Sequence, residues 1–193
     1  MALCGHGQSP YFGEAQVLRK LMTGAVALVA GLTAACEDAP RSTTVYLRPQ
    51  GIEPFLAGIT AHGPLLVETM DTGFAEDRDV IGPMVASAVV RGIQGRVVQA
   101  THEPGAASHP DFRVRVAFDA PEAFNPNRLC AGEVPASDTG RDRLHVLAVF
   151  CQGEVLHAAV VGSVPRPDTL THDSVGRLLT QMAQQMFASP AAP

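Results

Sequence analysis

Two apolar runs separated by one polar step constrain this chain more than anything else in it. Leu144–Cys151 and Glu154–Val161 are apolar on both faces, and Gln152-Gly153 between them is a two-residue hairpin signal. A strand apolar on both faces must be covered, so this hairpin is expected at the centre of a sheet, beneath helices. With Gln152-Gly153 as the turn, His157 stands opposite Ala148 and His145 points to the other face. The two imidazoles then cannot share a metal, and each reads as a hydrogen-bonded histidine of the core or sheet face.

The segments around the hairpin fit the same sheet. In Phe112–Phe118 the residues Phe112, Val114, Val116 and Phe118 share one face, while Arg113 and Arg115 share the other. The arginines read as a cationic strip on a solvated face, with docking of an acidic partner or lipid headgroup as the alternative. Val45–Arg48, Leu65–Thr69 and Gly95–Ala100 read as further strands. A helix is expected from Asp79, with Pro83 in its first turn, Ile81, Met84, Val85, Ala88 and Val89 on its apolar face, and Gly92 and Gly95 ending it. Thr171 or Asp173 caps a last helix whose Val175, Leu178, Leu179, Met182, Met186 and Phe187 recur at helical spacing. Packing against the sheet accounts for that stripe. Pro121–Arg143, rich in turn residues, reads as a long loop across the sheet edge. The fold expected is α+β: an antiparallel sheet with a central hairpin and helices packed on one face.

Ahead of this domain, Arg19-Lys20 precedes an uncharged, mostly apolar run, Leu21–Ala35, which ends in small residues directly before Cys36. That order is a secretory signal, and the run is too short to span a bilayer comfortably. With its cysteine after Thr33-Ala34-Ala35, the segment resembles the signal peptide of bacterial lipoproteins. The resemblance covers residues 19–36. It departs from the family where Leu commonly stands three residues before the cysteine, a position held here by Thr33. It implies cleavage before Cys36, acylation of the Cys36 thiol and attachment to the inner or outer membrane. Thr33 and Ala35 equally suit an ordinary signal peptidase, which leaves a soluble periplasmic product as the alternative. Residues 1–18, with Glu14 and Cys4, fit no signal peptide, and translation is expected to begin nearer Arg19. The division expected is therefore 1–35 leader and signal peptide, 36–44 tether, 45–188 a single α+β domain, and 189–193 a disordered tail.

Composition narrows the function. The whole chain carries a formal charge of −5; without Arg19, Lys20 and Glu14 it is −6. An acidic surface argues against nucleic acid as a partner. Lys20 is the only lysine, which excludes a Schiff-base or phosphate-cradling lysine beyond the leader, and the absence of tryptophan disfavours a stacking platform. Once Cys36 carries lipid, Cys130 and Cys151 remain, an even pair that in an oxidising compartment is most simply a disulfide. It would close a loop of about 20 residues and contribute roughly 3 kcal/mol.

Chemistry has one candidate stretch. The loop 102–111 gathers His102, Glu103, His109 and Asp111, residue types that ligate zinc or another divalent ion, though Pro104 and Gly105 forbid the helical spacing of metalloproteases. An ordinary polar turn is the simpler reading, and no cofactor is expected. The leading function is a non-enzymatic lipoprotein of the cell envelope. It would be joined to the membrane through its N-terminal lipid and serve envelope assembly or transport with a protein partner. A soluble periplasmic binding domain and a metal-dependent hydrolase using the 102–111 loop are the alternatives.

Overall fold

A computed structural model describes residues 39–49, 51–70, 74 and 76–188, and among these described residues six strands and four α-helices form. The readings placed on residues 1–35, on Cys36 and on the tail 189–193 lie outside these residues. The strands are β1 (Arg41–Leu47), β2 (Leu65–Thr69), β3 (Ala100–Thr101), β4 (Phe112–Phe118), β5 (Arg143–Gln152) and β6 (Val155–Pro165). They form one sheet in the order β1-β6-β5-β4-β2-β3, so the β5–β6 hairpin is central. The helices are α1 (Glu53–Thr60), α2 (Arg78–Gly92), α3 (Pro126–Cys130) and α4 (Asp173–Met186). β1 begins at Arg41, so residues 41–44, expected in the tether, already belong to the sheet.

The sheet is mixed, which corrects the antiparallel expectation. β1, β6, β5 and β4 pair antiparallel, whereas β4, β2 and β3 run parallel. A 15-residue helix, α2, lies between β2 and β3 and returns the chain to the end from which β2 started. The strand expected over Gly95–Ala100 shrinks to Ala100–Thr101, and Val97 is 95% exposed.

Helices cover both faces of the sheet, not one. On the first face Leu56 of α1, Val85 of α2 and Leu178 of α4 pack on Val67, Val116 and Phe150. α2 and α4 approach closely at Gly92, where an added Cβ would stand 2.5 Å from the Cβ of Ala183. The cap of α2 is Asp77, whose side chain accepts from the Asp79 N–H at 3.0 Å. Helix α2 therefore starts earlier than expected, and Pro83 sits inside it rather than in its first turn. His172, not Thr171 or Asp173, caps α4, its Nδ1 accepting from the Ser174 N–H at 3.2 Å.

The hairpin differs from expectation by one residue in its turn. Gly153 and Glu154 form the loop, with Gln152 paired to Val155 and Cys151 to Leu156. Gly153 has a φ of +57°, and a glycine at the first loop position is what a two-residue turn of this kind demands. The ladder then slips between Cys151 and Phe150, whose partner is Ala158, and His157 is the bulged residue. Ala148 consequently faces Val160, not His157.

Candidate functional site

The second face of the sheet carries the more unusual chemistry. The alternation along β4 puts Ala117, Arg115 and Arg113 there, beside Val149 and Leu147 of β5. The loop 119–143 lies over this face rather than across the sheet edge, and α3 within it seats Leu129 and Cys130 against Val149 and Ala159. A disulfide joins Cys130 to Cys151, with Cα atoms 5.7 Å apart and both residues fully buried.

Arg115 is the centre of this cover, which corrects its reading as a solvated cation. It is 9% exposed. Its Nε donates to Glu68 at 2.7 Å, and its Nη1 donates to the carbonyls of Leu129 and Cys130 at 2.8 and 2.7 Å. A cation on the last carbonyls of a helix satisfies acceptors that have no partner within it. Arg113, half-buried, lies 3.7 Å from the same Glu68 carboxylate. Residue type alone placed these arginines in solvent; only the loop folding over them shows otherwise. At the far end of β4, Asp119 adopts a φ of +53° and is 1% exposed. Its two carboxylate oxygens accept from Arg166 at 2.9 and 2.6 Å, a paired contact that raises the arginine's pKa above its ordinary value.

The cover is incomplete. Over β6 and β1 the second face stays open as a groove of about 360 Å³. Its floor is Thr43, Val45, Leu147 and Val161, with Val45 55% and Val161 36% exposed, and its inner wall is Ala120, Pro121 and Phe124. Arg41, Glu122 and His145 rim one end. There Glu122 accepts from Arg141 at 3.3 Å and stands 3.7 Å from His145 Nδ1. Exposed Arg41 makes no ion pair among the described residues. A mostly apolar hollow with a few polar groups at one end suits an amphiphile, and its volume falls at the small end of ligand pockets.

A second hollow, about 390 Å³, opens at the carboxyl end of β2 between Glu68, Thr69, Arg78 and His102. Its carboxylate is committed to Arg113 and Arg115.

The residues of the 102–111 loop do not assemble. His102 sets its ring against Gly82 of α2. Glu103 is exposed, its N–H donating to Thr101 Oγ1 at 3.1 Å. His109 meets His62 edge-on at 5.7 Å, and exposed Asp111 offers its carbonyl to the Gly153 N–H at 2.8 Å. Among the described residues no group of three or more His, Cys, Asp or Glu side chains is placed to hold a metal ion.

His145 and His157 do lie on opposite faces. His157 is fully buried on the first face, its ring 4.8 Å from that of Phe55 and 5.9 Å from that of Phe150. Its Nδ1 is 3.1 Å from Arg48 Nη1, which can only donate, so Nδ1 accepts and the ring is neutral with its proton on Nε2. That Nε2 is buried and has no hydrogen-bond partner among the described residues. Burial, and then the charge of Arg48, push the His157 pKa below its ordinary value.

No family model matches this sequence, and no curated protein matches it. Among solved structures, a chain of a PelC variant dodecamer from Paraburkholderia phytofirmans aligns with 78% of this chain and 99% of its own length. The identity is 11% and the TM-score 0.38, a likeness too slight to bear on fold or function.

Proposed function

We propose that this chain is the precursor of a bacterial envelope lipoprotein, cleaved before Cys36, diacylated on that thiol and held at a periplasmic membrane surface. The observation that carries the reading is the order of residues 19–36: two cations, an uncharged run, three small residues and a cysteine. The buried Cys130–Cys151 bond supports it, since a disulfide of this kind belongs to an oxidising compartment.

On this reading the domain acts by binding, not catalysis, as an accessory of envelope assembly or transport with a protein partner. The scattering of His102, Glu103, His109 and Asp111 favours this over a metal-dependent hydrolase. The small residues Thr33 and Ala35 keep the soluble periplasmic form as the second reading.

Intact-mass measurement on protein extracted from membranes tests the anchor. The expected species starts at Cys36 and carries a diacylglycerol adduct. A chain with an unmodified Cys36, recovered from the aqueous phase on detergent partitioning, would establish the soluble form instead.

A further inference from the structure

Strand pairing sorts the floor of the second-face groove into two rows. Ser163 of β6 pairs with both Arg41 of β1 and His145 of β5, and two residues further along Val161 pairs with both Thr43 and Leu147. Directly paired residues project to the same side of a sheet. One row is therefore Arg41–Ser163–His145, and the other, about 7 Å along the strands, is Thr43–Val161–Leu147. Every side chain of the first row can donate a hydrogen bond. The second row is mostly apolar, and Val45 and Phe124 extend it into a hollow.

Charge distinguishes the polar end. Arg41 and Glu122 are the only Arg, Lys, Asp or Glu residues lining the groove. Glu122 accepts from Arg141 at 3.3 Å, and Arg141 also donates to Asp138 at 2.7 Å, so these groups balance one another. Arg41 makes no ion pair among the described residues. Ser163 Oγ accepts from Arg143 Nε at 3.2 Å, which leaves the hydroxyl proton to donate and sets a second cation behind the row.

We propose that this groove binds a medium-chain carboxylate, with its head on Arg41, Ser163 and His145 and its alkyl chain over Val161 and Leu147 against Phe124. An unpaired guanidinium flanked by a hydroxyl and an imidazole suits a head with one negative charge and two oxygens. Glu122, at the same end, would repel a more highly charged head. The chain length follows from volume. At roughly 30 Å³ for each water-sized group, a groove of about 360 Å³ holds about a dozen non-hydrogen atoms, the number in decanoate. The alkyl part is stabilised by covering Val45 and Val161, which are otherwise exposed apolar surface. All of these residues belong to the sheet and the loop over it, so the site is the same whether the mature protein is anchored or soluble.

Photolabelling tests this. The full chain would be purified from cells, mixed with phospholipid nanodiscs and irradiated with decanoate carrying a diazirine near its methyl end. Adducts are expected on Val45, Phe124, Leu147 or Val161. Unlabelled decanoate should suppress them, and decanol or decylamine should need about tenfold higher aqueous concentration to do so, the usual effect of losing one charged hydrogen bond. Arg41→Gln, at an exposed position, should raise the decanoate concentration required by about the same factor. Thr43→Glu, also exposed, should lower the adduct yield by placing a charge on the floor. Adducts at other residues, suppression by decanol equal to that by decanoate, or unchanged labelling and suppression in the folded variants would overturn the assignment. Absence of labelling in the groove would overturn it as well, and a dimer in sedimentation would then identify a second copy of the chain as the occupant.

Discussion

The two faces of the sheet are closed by different means. On the first, three helices bring rows of aliphatic and aromatic side chains down on the strands, and the contact is mostly apolar, with His157, Ser174 and the Gln185–Ser42 hydrogen bond as polar exceptions. On the second, one five-residue helix is fastened by a disulfide and by a single arginine that grips two of its carbonyls. The first face needs no particular partner at any point, because burial of area is non-directional. The second has too little apolar cover to close by area alone, and it substitutes specific bonds for it. The part that those bonds do not reach is the groove over β6 and β1.

The largest expected effect lies on the first face. Phe150 is fully buried between the helices and the central hairpin, and Phe150→Ala should cost about 3–5 kcal/mol in chemical denaturation. A loss below about 1 kcal/mol would mean that this face is loosely packed and that the two faces differ less than their contacts imply. Next comes the second face. Cys130→Ser or Cys151→Ser should cost about 2–4 kcal/mol, and reduction of the native protein should mimic either. If the Ser variants matched the oxidised native protein in stability, α3 would be held by Arg115 and packing rather than by the bond.

The smallest effect concerns the buried histidine on the first face. The folded-state pKa of His157 is lowered, so its stabilising contribution is complete above the unfolded value of 6.5 and is lost as the pH falls through the lower folded value. Denaturation midpoints should therefore decline from pH 7.5 to pH 5, and His157→Phe should flatten that decline. An equal slope in the variant would assign the pH dependence to other groups.

The same contrast explains what could be read ahead of the structure. β4 and α4 follow from alternation and helical spacing, because each buries a side chosen by its own residues, and β5 follows from being apolar on both faces. α1 and α3 do not announce themselves: Pro54 and Pro126 look like breaks, yet both stand in the first turn, where a missing N–H has no cost. The parallel half of the sheet hangs on a two-residue β3, too short to show any pattern. The hairpin was legible and its register was not, since Gln152-Gly153 and Gly153-Glu154 both present a glycine and only one matches the twist of the strands. The cysteine pair could be read from counting. Arg113 and Arg115 could not, because their partners Glu68, Leu129 and Cys130 come from distant parts of the chain. The groove shares that difficulty, as its lining is drawn from β1, β5, β6 and the segment 120–124.

Tyr46 gives the edge strand β1 an optical signature. The chain has no tryptophan and two tyrosines, and beyond residue 35 Tyr46 is the only one. It is 41% exposed on β1, next to the bulge at Val45 and remote in kind from the aromatic core, which is built of phenylalanine and histidine. Ultraviolet emission from a chain beginning after the leader is thus a report from the outermost strand. Far-ultraviolet dichroism reports from all the helices and strands at once. Two transitions that coincide would mean that β1 leaves together with the core, and an earlier one in emission would mean that it peels away first.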